Sequence, residues 1–244
     1  MVRKPATNPR KIASQPRSRA TVDALVEATA RILVRDGFDR SSTNRIAEEA
    51  GVSIGSLYQY FPGKEALVAA VIERHNRELM RVVRRAFAQI EGEPVEGGVA
   101  SLVSAAIEAH QIDPVLHRVL AEQTPRAGEL AGIELFHREA YGLFRAYLED
   151  HRSELIGLDL DLTAFICVTS IEALTHNAVI HSDVLTSHGS EHFAAETSRL
   201  VVSYLDSGRV RGTSERAASD GRAAALPDEK SGHDVAVATR LIGG

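Results

Sequence analysis

Apolar residues recur at three- and four-residue spacing through most of the chain, which places them on one face of a helix. Val22, Leu25, Ala28 or Thr29, Ile32 and Leu33 open the pattern. Gly37 closes this first helix, and Phe38 is expected to tuck back on it. Ser42 or Thr43 has the side chain to cap a second helix that runs to Ala50 and breaks at Gly51. Ser53 caps a third, Ile54–Tyr60, which Pro62-Gly63 terminates. A long fourth helix follows over 64–90, with Leu67, Val71, Leu79, Val82, Val83, Ala86, Phe87 and Ile90 on its apolar face. Further helices are predicted at 96–111, 113–123, 128–151, 160–182 and 190–207, separated by Asp113-Pro114, Pro125, Gly128, Gly157 and Gly189. No two-residue alternation is long enough for a sheet, so the expected fold class is all-α.

The ends of the chain depart from this pattern. Residues 1–19 hold six basic residues, no acid and three prolines, which predicts a disordered basic arm. Residues 208–244 are rich in Gly, Ala, Ser, Asp and Arg and are expected to form a mostly disordered tail. Between them, 20–63 reads as one small domain and 64–207 as a larger helical one.

Charge changes the picture more than composition does. The net charge is −5 over 244 residues. Residues 1–64 carry eleven Lys/Arg against six acids, so a basic front precedes an acidic body. Such a front suits a polyanion, and nucleic acid is the common one. Cys167, the sole cysteine, lies in the apolar segment LTAFICVTSIEAL and reads as a buried, reduced thiol of a cytoplasmic protein. No apolar leader and no run of 18 apolar residues is present, so neither a signal peptide nor a membrane partner is expected.

The second and third predicted helices carry the most specific geometry. A helix-turn-helix packs two short helices steeply across a tight turn. It needs a small residue at the crossing, and Ala47 is there. It needs a residue that tolerates a left-handed backbone, and Gly51 follows four positions later. Ile46, Ala50, Val52 and Leu57 fall where apolar residues must plug the joint, and Tyr60 and Phe61 close it. The segment GVSIGSLYQYF then makes sense. Its helix is too short and too polar for an ordinary core helix, but it suits a recognition helix whose first turns enter a major groove.

The candidate DNA-contacting residues are Ser42, Thr43, Arg45, Ser53, Ile54, Gly55, Ser56, Tyr58, Gln59, Tyr60 and Lys64. Ser53, Ser56 and the Gly55 amide stand at the helix N-terminus, where phosphates or bases are approached. Gln59 has the amide to bond adenine in bidentate fashion, and Tyr58 suits a thymine methyl or a phosphate. The Tyr60 hydroxyl is expected on a phosphate, and Thr43 and Lys64 start helices aimed at the backbone. The alternative for both tyrosines is a place in the core.

The stretch SSTNRIAEEAGVSIGSLYQYFPGKEAL resembles the DNA-binding segment of the TetR/AcrR family of bacterial transcriptional regulators. The resemblance covers about residues 18–75, and GVSIGSLYQYFPGKEAL carries most of it. It implies a three-helix DNA-binding domain followed by a larger helical ligand-binding and dimerisation domain. It also implies a homodimer formed through the last two long helices, here about 160–182 and 190–207, on palindromic double-stranded operator DNA. The function implied is a repressor released by a small-molecule effector. The alternative is a DNA-binding regulator without such a ligand, constitutive or controlled by a protein partner.

The residues of helix 160–182 are apolar nearly all round, which requires cover on more than one face. Polar and aromatic residues inside the apolar helices mark a pocket: His110, His117, Gln123, Phe136, Tyr141, Phe144, Glu172, His176 and Asn177. Glu172 and His176 either face that pocket or bond across the dimer seam. His188 and His192 flank Glu191 but match no metal-ligand order, so no metal and no cofactor is expected. Gly-rich phosphate loops, nucleophile elbows and acid/base pairs are lacking, which argues against an enzyme.

Overall fold

The computed structural model describes residues 9–10, 15–127, 131–181 and 183–223. Among the described residues every regular element is a helix: α1 (Pro16–Arg40), α2 (Thr43–Glu49), α3 (Ile54–Tyr60), α4 (Lys64–Gln89), α5 (Val95–His110), α6 (Pro114–Ala127), α7 (Ala131–Asp150), α8 (Leu160–Ile180), α9 (Asp183–His188) and α10 (Ser190–Ala223).

Two cores hold these helices. The N-terminal core gathers Leu25, Ile32 and Leu33 of α1, Ile46 of α2, Leu57 of α3, Phe61, and Leu67 and Val71 of α4. Leu116 and Leu120 of α6 belong to it as well, although α6 lies far along the chain. Phe38 tucks against this core as its position predicts. The second core is built from the later part of α4 with α5, α7, α8 and α10, around Val99, Val103, Phe144, Leu148, Cys167 and Leu205. Helix α4 runs through both, so it is a shared rod between head and body.

Several boundaries differ from the sequence expectation. Helix α1 starts at Pro16, inside the expected arm, because proline is well suited to the first helical turn. It continues to Arg40 across a break at Gly37, whose φ of 77° lies in the left-handed region. Residues 1–8 and 11–14 of the arm lie outside the described residues. Helix α6 continues past Pro125, which was expected to stop it. Helix α8 ends at Ile180, and the short α9 was not expected.

Helix α10 carries on to Ala223, past the boundary at 207. No proline occurs there before Pro227, and adding a residue to an established helix is far easier than nucleating one. The rest of the tail, 224–244, lies outside the described residues.

Helix α8 buries Thr163, Ala164, Cys167, Ile171 and Thr175 on its inner side. Burial pushes the Cys167 thiol up to about 12, so it stays protonated. On the outer side Leu162 and Phe165 are more than half exposed. Among the described residues α8 is the one helix long and apolar enough to cross a membrane.

Candidate functional site

The helix-turn-helix assembles by local chemistry. The Ser42 hydroxyl accepts from the Arg45 backbone amide at 3.4 Å and caps α2. The Ser53 hydroxyl accepts from the Ser56 amide at 3.1 Å and caps α3. Gly51 between them has φ 65°, a left-handed conformation that side-chain-bearing residues rarely adopt. The Val52 amide then reaches back to the Ala47 carbonyl at 2.9 Å, which fixes the angle between the two helices. Leu57 points into the head core, so the opposite face of α3 is turned outward.

That outward face presents Ile54, Gly55, Tyr58 and Gln59, with Ser53 beside them. The Tyr58 hydroxyl lies 3.1 Å from Thr43 Oγ1, which ties the outer ends of α2 and α3 together. Ser53 and Ser56 share a hydrogen bond of 2.8 Å between their hydroxyls. Among the described residues of the arm, Arg10 meets this surface. The Arg10 amide donates to the Tyr60 carbonyl at 2.7 Å, and its guanidinium reaches the Tyr58 carbonyl at 3.4 Å.

Three expected DNA contacts are used elsewhere. Tyr60 is 8% exposed and packs in the head core, because its position on α3 faces inward with Leu57. The Lys64 ammonium donates to the Phe38 carbonyl at 2.9 Å and sits 4.0 Å from the centre of the Phe38 ring, pinning the α1–α2 elbow. Arg45 pairs with Asp36 at 2.6 Å and donates to the Arg40 carbonyl at 2.8 Å. The same elbow holds Asp36 below the usual carboxylate range. Burial opposes that shift, and hydrogen bonding and charge from Arg35 and Arg45 outweigh it.

In the body, α4, α5, α7 and α8 line a partly open apolar cavity of about 70 Å³ formed by Leu79, Val83, Phe87, Leu102, Phe136, Phe144, Val168 and Ile171. A more polar cavity of about 120 Å³ adjoins it, towards the head, lined by Ile72, His75, Asn76, His117, His137 and His176. Leu79, His110, Phe136 and Glu172 line both and so form the partition.

Burial favours the neutral form of four histidines at the polar cavity, His75, His110, His117 and His176. Burial lowers His75 to about 4, and charge on His110 acts in the same direction while Asp113 opposes it. Burial and the neighbouring imidazoles lower His117 to about 3. Burial likewise lowers His110 and His176. His75 Nε2 lies 3.0 Å from His117 Nδ1, and His117 Nε2 lies 2.7 Å from His176 Nδ1. Glu172 Oε1 meets His137 Nε2 at 2.7 Å.

This architecture matches known families in both halves. Residues 25–71 match the family of bacterial regulatory proteins named for tetR, and residues 94–205 match the tetracyclin repressor-like C-terminal domain. The chain belongs to the TetR family. It is a transcriptional regulator of that family, with a DNA-binding head and the family's C-terminal body.

Among individual relatives, the chain is 33% identical over 85 residues to the nucleoid occlusion factor SlmA of Glaesserella parasuis. That match covers 35% of this chain and 41% of SlmA's own length. The fatty acid degradation regulator FadR of Bacillus halodurans superposes with a TM-score of 0.58 at 17% identity, covering 77% of this chain and 95% of that one. FadR of Bacillus subtilis, solved in complex with stearoyl-CoA, gives 0.56 at 19% identity over 76% and 98%. At these identities the two structures share the fold.

Within this TetR-family body the structure gathers His110, His117, Phe136, Phe144, Glu172 and His176 around the two cavities. Tyr141 and Asn177 are not among the lining residues. The Tyr141 hydroxyl donates to Asp161 at 3.2 Å, and the Asn177 amide donates to the Ala173 carbonyl of its own helix at 2.7 Å. Their positions on α7 and α8 turn them away from the partition. The side chain of Gln123 lies outside the described residues. His75 went unnoticed in the sequence because it sits on the apolar face of α4, where one polar residue stands out only once its neighbours in space are known.

Proposed function

We propose that this TetR-family chain is a cytoplasmic, homodimeric repressor that leaves a palindromic operator when an apolar or amphipathic effector enters its body. The observation that carries this reading is the position of α6. Leu116 and Leu120 are part of the head core, while His117 between them lines the polar cavity of the body. A ligand that moves α6 therefore moves a piece of the head core with it. Helix α4 offers a second route, since it supplies Leu67 and Val71 to the head and Leu79 to the partition.

The cavities support a ligand that remodels them. Ordinary ligand pockets run to about 300–1,000 Å³, and the apolar cavity is about 70 Å³. An effector of useful size must displace the partition, above all Phe136, and merge the two spaces. The stearoyl-CoA bound by Bacillus subtilis FadR is an amphipathic molecule of this type and is a rational first probe.

DNA reading rests on α3. Tyr58, Gln59, Ile54 and the Gly55 backbone form its open face, with Ser53 and Thr43 at the edges. The alternative is a regulator controlled by a protein partner or by none, and the small volume of the apolar cavity, about 70 Å³, favours it as a second reading. The deciding experiment is fluorescence anisotropy on the DNA upstream of the protein's own gene, across a salt series. Specific binding that is lost in Tyr58→Ala and reversed by stearoyl-CoA or another amphipathic compound supports the repressor. Specific binding that no body-bound compound alters supports the alternative. Binding equal on random DNA and indifferent to Tyr58, with no specific site recovered by selection from a random DNA pool, removes both.

A further inference from the structure

His75 of α4, His110 of α5, His117 of α6 and His176 of α8 meet at one wall of the polar cavity. Ring centres are 4.8 Å apart for His110 and His117, 4.8 Å for His117 and His176, and 5.3 Å for His75 and His117. One ring nitrogen from each of His110, His117 and His176 lies within 4.8 Å of the other two. Four imidazoles from four helices are a costly choice for a core that apolar residues would fill, unless their lone pairs have a use.

The hydrogen bonds orient those lone pairs. His110 Nδ1 donates to the Ala106 carbonyl at 2.7 Å, which leaves Nε2 with a free lone pair. His117 Nδ1 faces His75 Nε2 at 3.0 Å, and His75 Nδ1 is buried with no hydrogen-bond partner. A proton on His117 Nδ1, donated to His75, frees the lone pair of His117 Nε2. That lone pair accepts from the His176 Nδ1–H, 2.7 Å away, so metal binding requires the His176 proton to move from Nδ1 to Nε2. Backing of one ring nitrogen while the other stays free is how ligating histidines are normally held.

We propose that His110 Nε2, His117 Nε2 and His176 Nδ1 bind a divalent transition-metal cation of the zinc class. A fourth coordination position opens towards the cavity beside Glu172. Nitrogens at about 2.0–2.1 Å from a tetrahedral ion stand about 3.3 Å from one another, so the His117–His176 pair opens by about 0.6 Å and His110 closes in. Imidazole ligands select zinc, nickel, copper or cobalt over magnesium and calcium. His75 is a positioning residue that keeps the proton on His117 Nδ1.

The bound ion links α5, α6 and α8 at the point where α6 enters the head. Any effect on operator affinity rests on the repressor reading, whereas metal binding does not.

The test uses untagged full-length protein, stripped with chelator and dialysed, then titrated with Co²⁺ and followed by visible absorption. The expected result is one Co²⁺ per chain with the intense bands of a four-coordinate site, displaced by Zn²⁺. His117→Gln and His176→Gln each weaken the affinity by at least about tenfold, and His75→Gln by about 10–100-fold with a shifted spectrum. His188→Gln and His192→Gln leave both unchanged. Circular dichroism melts of the metal-free variants establish that each is folded, and His176→Gln, on a partly buried ring, serves if His117→Gln is not. A spectrum that stays that of the six-coordinate aqua ion, or one equal in folded His176→Gln and parent, overturns the proposal. Operator anisotropy on the same samples separates the two readings, because metal binding without specific DNA binding counts against the repressor alone.

Discussion

Tyr58 and Tyr60 stand two residues apart on α3 and face opposite ways. Two helical steps rotate a side chain by about 200°, so when Tyr60 is 8% exposed, Tyr58 is 42% exposed. One tyrosine therefore belongs to the fold and the other to the surface, and substitutions divide them. Gln59→Ala is expected to cost about 1–3 kcal/mol of operator binding if its amide reads a base, with little change in thermal stability. Tyr60→Phe is expected to leave operator affinity unchanged within error. Titrations by anisotropy, paired with melting curves, check both. Lys64 gives the sharper contrast. Its ammonium is bonded to the Phe38 carbonyl and packed on the Phe38 ring, so Lys64→Met is expected to lower the melting temperature while leaving the salt slope of DNA binding intact. A slope that flattens by about 0.9 would mean that Lys64 neutralises a phosphate after all.

At the scale of elements, α6 is the part of the molecule that sequence periodicity could not interpret. Its helical pattern was plain, and so was its approximate start at Pro114. Its position between the two cores was not, because Leu116 and Leu120 look like any amphipathic stripe until α1 is seen against them. The head was far more legible. Its caps at Ser42 and Ser53, its Gly51 turn and its plugging residues are local features, and local chemistry is written in adjacent residues. The histidine cluster joins residues separated by up to 101 positions, from His75 to His176, so no spacing rule along the chain reveals it. Tyr60 and Lys64 have intramolecular partners that the sequence did not reveal, for a related reason. Type and position made them eligible for DNA, and a competing neighbour in space had prior use of them. Leu120→Ala tests the assignment of α6 to the head core. The expected loss is about 2–5 kcal/mol in urea unfolding, as for other buried leucines, with operator binding weakened in the folded fraction. The arm is tested at the same scale. Arg10 is held at the end of α3, and Arg10→Ala is expected to reduce the salt slope by about 0.9 if the arm tracks one phosphate.

For the whole molecule, the decisive feature is apolar surface that one chain leaves open. Leu162 and Phe165 of α8 and Leu200 of α10 are 54%, 58% and 56% exposed. The length and composition of α8 would also suit a membrane. Its inner face, however, is packed against α5, α7 and α10, and its first turn is tied by Asp161 to Arg145 at 2.8 Å. In the homodimer proposed above, a second copy of the same two helices would cover the outer face without dismantling that packing, giving a four-helix bundle about a two-fold axis. This arrangement also supplies what a single α3 lacks. One recognition helix reads few base pairs, and two related by symmetry read a palindrome. Phe165→Glu places a charge at the seam and is expected to convert a dimer to a folded monomer in sedimentation velocity, with helicity retained by circular dichroism. The monomer should keep only salt-driven, sequence-indifferent DNA binding, in the range of about 10⁻⁴–10⁻⁶ M. Glu73→Ala, on an exposed side chain of α4 outside the two seam helices, is the control expected to stay dimeric. A Phe165→Glu protein that remains dimeric would place the seam elsewhere. A monomer that still binds its operator specifically would remove symmetry from the recognition mechanism.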